Sequence, residues 1–257
     1  MKNIRSPFQS WLAPVLFSIA VLATPLRAAD TMAQPTQPVE TTNLNYLKDG
    51  KPDAIALLAP PPLPGSAEQA ADLAEVRAVC HDAPSNEVAA ALVENKGVSL
   101  SYFTPVVGDI FQPDKLPKTE AFLHRVQKDA SAVVDSAKDY WKRPRPFILD
   151  PSLITTGKLE KSFSYPSGHS TESMVLALVL ADLFPDKHDA IIAEARTIGW
   201  HRVEIARHYP TDVIAGRVLA QAIVKEMEKN PDFQKDLAKA RAEIAAAQTA
   251  AQTAAKN

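Results

Sequence analysis

The stretch Met174–Phe184, MVLALVLADLF, sets the strongest limit on how this chain can fold. It is too short to cross a bilayer and too evenly apolar to lie half-exposed on a surface, so it predicts a helix buried on all sides. Such a helix needs other amphipathic helices to cover it. Lys118–Trp141 supplies one, with Phe122, Val126, Ala130, Val133, Val134 and Ala137 on a single stripe and Thr119 as a cap near its start. Ser66–Leu92 shows helical spacing of Ala67, Ala70, Ala71, Leu73, Ala74, Val76 and Val79. Pro84 interrupts it, and Asn86 or Ser85 caps the next helix. Strand signals are weak throughout. The expected fold is therefore all-α, a compact single-domain helical bundle around a buried central helix.

The edges of the chain read differently. Met1–Ala28 combines Lys2 and Arg5 with the short apolar run Trp11–Thr24 and a small residue at Ala28, the pattern of a secretory signal peptide, with a retained N-terminal anchor as the alternative because Arg27 stands next to the cleavage point. Residues 29–44 are rich in Pro, Thr and Gln and read as a disordered lead-in. The prolines at Pro60, Pro61, Pro62 and Pro64 favour an extended surface segment, and Val98–Pro117 reads as a loop with a short helical turn. Residues 245–257 form an Ala-rich low-complexity tail, helical or frayed, leaving 45–244 as the working domain. Formal net charge is -2 with no basic tract, which speaks against nucleic acid or an anionic membrane as partner. Cys80 is the only cysteine, so an exported chain of this kind has no internal disulfide and relies on packing.

Three polar stretches are the candidates for chemistry. In GWHRVEIARHYPTDVIAGR (Gly199–Arg217), Pro210 suits the first turn of a helix beginning after His208 or Tyr209. Asp212 then stands in that first turn, where its carboxylate can accept a proton from one His208 ring nitrogen and leave the other as a lone-pair donor. Arg202 adds a planar fork suited to phosphate. In KDYWKRPRPF (Lys138–Phe147), Pro144 and Pro146 end a helix and stiffen Arg145. Lys142 and Arg143 read as solvated charges at the helix end, whereas Lys138 and Arg145 are assigned to a site. In SYPSGHS (Ser164–Ser170), Ser167 and Gly168 open the buried helix with free N–H groups, a natural anion site, and His169 can give a proton to a leaving oxygen. His81, His124 and His188 are isolated and read as surface or packing residues.

Lys138-x6-Arg145-Pro146, Pro166-Ser167-Gly168-His169 and Arg202-x5-His208-x3-Asp212 together resemble the three-part signature of the phosphatidic-acid-phosphatase type 2 and vanadium haloperoxidase superfamily. LKDGKPDAIALLAPPP near the start and KNPDFQKDLAKARAEI near the end are similar to the bacterial class A nonspecific acid phosphatases within it. One departure is His201, where the family usually has serine, and this is expected to tune the site. Val98–Asp114 is less like the better-known members.

The resemblance implies a periplasmic acid phosphatase that hydrolyses small-molecule phosphomonoesters without metal or cofactor. Phosphotransfer to alcohols, a homo-oligomeric state, and no membrane association after leader removal belong to the same expectation. It casts His208 as nucleophile forming a phosphohistidine, Asp212 as its orienter and His169 as acid then base. Lys138, Arg145, Arg202 and the N–H groups of Ser167 and Gly168 would hold the phosphoryl oxygens. Vanadate would inhibit, and the rate would peak on the acid side of neutrality, the alkaline limb reporting loss of the His169 proton. The alternatives are a vanadium-dependent haloperoxidase, whose members are generally much longer, and a catalytically dead phosphate-binding helical protein, against which the intact His208, Asp212 and His169 stand.

Overall fold

The computed structural model describes residues 44–153 and 157–254, so the expected leader and nearly all of the lead-in lie outside the described residues. Among the described residues there are helices and no strands. In chain order the α-helices are α1 (Ala54–Leu57), α2 (Ala67–Asp82), α3 (Ser85–Glu94), α4 (Thr104–Val107), α5 (Pro117–Trp141), α6 (Pro146–Leu149), α7 (Gly168–Leu183), α8 (His188–Glu204), α9 (Pro210–Met227) and α10 (Pro231–Ala254). The all-α expectation holds. None of these helices is long and apolar enough to cross a membrane.

Helix α7 is the hub, packing against α8, α9 and α5. Its buried residues run round its full circumference, from Ser170 and Thr171 through Met174–Ala177 to Leu183, which is why its sequence has no polar face. The neighbours approach its N-terminal end closely. A Cβ on Gly199 of α8 would lie 3.0 Å from Ser170 Oγ, and one on Gly216 of α9 would lie 2.8 Å from the Ser167 carbonyl. These two glycines therefore fix the spacing at the end of α7 that carries His169.

Helix α5 buries the expected stripe, and α10 packs along it. Tyr46, Phe122 and Phe233 stack edge-on with centroids 5.2–5.9 Å apart. Buried Asp129 on α5 accepts the N–H groups of Asn45, Tyr46 and Leu47, pinning the entering chain. Thr119 does not cap α5. That start is capped from outside by Glu243 of α10, which accepts from the N–H groups of Lys118 and Thr119 and from the Thr119 hydroxyl. A carboxylate there satisfies orphan N–H groups and complements the helix dipole.

Two further expectations shift. Helix α3 begins directly after Pro84, with no side-chain cap from Ser85 or Asn86. On α2 the buried face is Gln69, Asp72 and Val76, while Ala70, Ala71 and Ala74 are exposed. The alanine spacing points to the wrong side of that helix. The Ala-rich tail is helical as far as Ala254, and Ile244 is the last buried side chain of α10.

Gly216→Ala tests the close approach. Alanine is the better helix former by roughly 1 kcal/mol, yet the added methyl must push α9 off α7. The variant is expected to lose about 1–3 kcal/mol in urea unfolding. Unchanged or raised stability would mean the contact relaxes freely.

Candidate active site

His208 is placed by a tight turn. After α8 ends at Glu204, the N–H groups of Arg207 and His208 both return to the Arg202 carbonyl, at 2.8 and 3.0 Å. Ala206 takes a left-handed conformation, φ 53°, to make the turn, a backbone state that costs a non-glycine residue of order 1 kcal/mol or more. Tyr209 then caps α9 and Pro210 occupies its first turn, as the sequence predicts. Asp212, on that turn, reaches back to accept from the Tyr209 N–H at 3.0 Å and lies 3.2 Å from His208 Nδ1. Since the carboxylate can only accept, Nδ1 carries the proton and Nε2 holds the lone pair.

That nitrogen faces a cation. Arg145 Nη1 is 3.2 Å from His208 Nε2. Its guanidinium is held by the carbonyls of Ser162, Phe163 and Arg207 and by the Ser162 hydroxyl. Buried Lys138 donates to the Phe163 and Ser164 carbonyls. Arg202 is fully buried; its Nη2 pairs with Glu160 and donates to Asn95 Oδ1 at 2.8 Å. Its Nε and Nη1 have no hydrogen-bond partner among the described residues, the condition of a donor set awaiting an anion. Glu160 also pairs with Arg207 at 3.2 Å.

His169 stands at the start of α7 with Nε2 2.9 Å from the Glu94 carbonyl. A carbonyl accepts, so Nε2 is protonated and Nδ1 is the nitrogen left for chemistry. Ser167 caps α7, its Oγ accepting from the Ser170 N–H. The Ser167 N–H, however, donates to the Asp212 carbonyl at 3.0 Å. The expectation that this N–H serves a phosphate is therefore corrected: it ties α7 to α9, and the Ser167 hydroxyl proton and the Gly168 N–H remain.

The pocket's electrostatics follow from burying several cations together. Burial first, then the charges of Arg145, Lys138 and Arg202 and the ring of His169, hold His208 well below the ordinary histidine value. Burial and the Arg145 charge bring Lys138 down to about 7. Burial, offset in part by Glu160, brings Arg202 to about 10. Burial and Arg202 push His169 to about 3, against the raising effect of its bond to Glu94. All are the signature of a site short of negative charge. Among the described residues no three His, Cys, Asp or Glu side chains converge as a metal site would require.

Arg143 is the clearest correction. It is not solvated but buried, with Nη1 2.6 Å from Asp212 Oδ1 and Nη2 2.7 Å from Asp72 Oδ2. Gln69 and Thr211 accept from it, and it lies over the Tyr209 ring at 3.8 Å. Ser164 Oγ donates to Asp212 Oδ2 at 2.5 Å. Lys142 has the left-handed conformation that ends α5, φ 50°, and its side chain is exposed, in keeping with a solvated charge. His81, His124 and His188 are likewise exposed. Arg143, Asp72, Gln69, Ser164, Glu94, Asn95 and Glu160 are the contributors that sequence reasoning missed. The buried i, i+3, i+7 set on α2 was the one available signal.

Arg143→Met removes the cation from between two buried carboxylates. It is expected to cost about 3–5 kcal/mol in urea unfolding, the usual penalty for stranding buried charge. A loss below about 1 kcal/mol would show that water or neighbouring donors replace it.

The geometry agrees with known proteins. The PAP2 superfamily profile matches residues 130–229, which hold all three motifs. A "Non-specific acid phosphatase" of Providencia stuartii is 33% identical over 203 residues, covering 75% of this chain and 82% of that one. An "Acid phosphatase" of Zymomonas mobilis is 31% identical over 190 residues, covering 71% and 72%. A "Non-specific acid phosphatase" of Salmonella typhi is 36% identical over 140 residues, covering 52% and 55%. With the motif residues gathered around one buried histidine, and with relatives matched over most of both chains, this chain belongs to the PAP2 superfamily and groups with its non-specific acid phosphatases.

Proposed function

We propose that the protein is an acid phosphatase that hydrolyses organic phosphomonoesters through a phosphohistidine at His208. One observation carries this: a buried imidazole with Nδ1–H committed to Asp212 and Nε2 beside the Arg145 guanidinium. A neutral ring with its lone pair in a cationic pocket is a nucleophile aimed at an anionic electrophile.

In this scheme the unsatisfied Nε and Nη1 of Arg202, with Lys138, Arg145, the Gly168 N–H and the Ser167 hydroxyl, take the non-bridging phosphoryl oxygens. His208 Nε2 gives its lone pair to phosphorus, and the P–O bond to the alcohol breaks on the opposite side. His169 Nδ1 gives its proton to the departing oxygen. Water then attacks phosphorus, the P–N bond breaks back to His208, and His169 takes the water proton. An alcohol in place of water gives phosphotransfer by the same step. Phosphoryl transfer relies on positioning and charge stabilisation, which these cations supply. The pattern of Met1–Ala28 supports export to the periplasm, tested by whether the mature protein begins at Ala29.

His208→Ala is expected to abolish turnover, and wild type quenched in alkali to carry acid-labile phosphate on that residue. Label on a serine would overturn the scheme. Vanadate, a mimic of the in-line transition state, is expected to inhibit competitively. Arg202→Ala should weaken it more than it weakens substrate, and equal losses would leave Arg202 only uniform binding.

The pH dependence divides between two groups. Lys138, lowered to about 7, is a cation below that pH and loses its charge above it. The parameter kcat/KM reports the free enzyme, so it should fall as pH rises past about 7. His169, neutral in the free enzyme at such pH, regains its proton beside bound phosphate dianion and sets the alkaline limb of kcat instead. Lys138→Arg, which stays charged, should move the kcat/KM limb upward. A limb that stays in place would show that Lys138 is not its source.

A further inference from the structure

His201 is a buried ring that the proposed chemistry does not use. It occupies the position before Arg202, on α8, and is 3% exposed. Its Nδ1 lies 2.8 Å from Glu94 Oε2 and its Nε2 lies 3.0 Å from Glu87 Oε2. Both partners are carboxylates, which only accept, so both ring nitrogens carry protons and the ring is an imidazolium. Burial pulls its pKa down, but the two carboxylates outweigh that and raise it to about 9. Glu87 and Glu94 are seven residues apart, two turns along one face of α3, and the ring staples both turns to α8.

The end of α3 is where the site takes hold. The Glu94 carbonyl, one of the last of that helix, accepts from the Gly97 N–H at 2.9 Å and pairs with His169 Nε2 at the same distance. The next residue, Asn95, accepts from Arg202 through Oδ1 and donates through Nδ2 to the Lys158 carbonyl. Neighbours on α8, His201 and Arg202, thus grip neighbours at the C-terminal end of α3, Glu94 and the capping residue Asn95. The Glu94 backbone in turn sets which nitrogen of His169 is protonated.

We infer that His201 is a positioning residue for leaving-group protonation: by clamping Glu94 it fixes His169 as the Nε2–H form, with Nδ1 presented to the departing oxygen. This rests on the reading of His169 as the acid. It also gives a physical role to the departure from serine at this position: a charged ring reaches both glutamates, where a hydroxyl would not span them. An acid held in the wrong tautomer or tilted away loses most where the leaving group most needs a proton.

Two readouts on the mature enzyme separate the clamp from the chemistry. In protein labelled with ¹⁵N-histidine, NMR at pH 7.5 should show His201 doubly protonated and His169 as a single Nε2–H tautomer. In His201→Gln the His169 signals should shift toward a mixture of both tautomers. An unchanged His169 tautomer overturns the inference whatever the kinetics. In the second readout, His201→Gln should lower kcat/KM, which covers the steps up to departure of the alcohol, about 10-fold for an alkyl phosphate, a fraction of what a general acid supplies. It should lower kcat/KM for p-nitrophenyl phosphate, whose leaving group needs little protonation, less than about 3-fold by the same reasoning. Equal losses of kcat/KM on both substrates would make His201 merely structural. Glu94→Gln keeps the backbone carbonyl and removes only the charge, so it should reproduce the pattern; if His201→Gln does not fold, Glu94→Gln and Glu87→Gln decide the matter by the same criteria. His169→Ala runs alongside: if it lowers kcat/KM equally for both substrates, the acid assignment fails, while the tautomer measurement still decides the clamp.

Discussion

Everything in the site leans on the Asp212 carboxylate. It is fully buried, and its two oxygens are saturated by Arg143, the Ser164 hydroxyl, the Tyr209 N–H and the His208 ring. An ionised carboxylate away from water is tolerated only with such company. In exchange it joins the loop before α7, the end of α5 and the start of α9 at one atom group. The backbone carbonyl of the same residue holds the Ser167 N–H, so the start of α7 is fixed to it as well. The three motifs lie far apart in the chain, and Asp212 is where they are bound together.

Much of this was legible because it rests on local rules. The even apolarity of Met174–Phe184 required burial on all sides, and α7 is the hub. Pro210 marked the start of α9 because a ring lacking N–H fits there. The stripe on α5 has the 3.6-residue period, and its six residues are buried. What escaped was non-local. Arg143 sits at a basic helix end, where solvation is the ordinary outcome. It is buried because acceptors 71 and 69 residues away, Asp72 and Asp212, converge on it. The α2 face misleads because small alanines mimic an apolar stripe, although its true inward face carries the polar pair Gln69 and Asp72. Glu243 is a cap that α5 borrows from another helix, and no local window reveals it.

The pocket also shows what concentrating positive charge costs. Lys138, Arg145 and Arg202 are each pushed toward losing their protons by burial, and the two histidines toward staying neutral. A phosphate dianion relieves all of these at once, so binding and protonation are linked. The free and occupied sites therefore differ in protonation as well as in contents, and the pH dependence of binding need not match that of chemistry.

Glu160 is a second anion in the same pocket. It sits on Arg202 and Arg207 from the loop ahead of the PSGH stretch. Arg202 thus already has a counter-ion. A phosphate held by the unpartnered Nε and Nη1 would share that guanidinium with the tethered carboxylate on Nη2. Affinity for any phosphate is then set against a neighbour that already partly neutralises the same guanidinium. Such sharing of charge tempers the grip on inorganic phosphate, the product every substrate leaves behind.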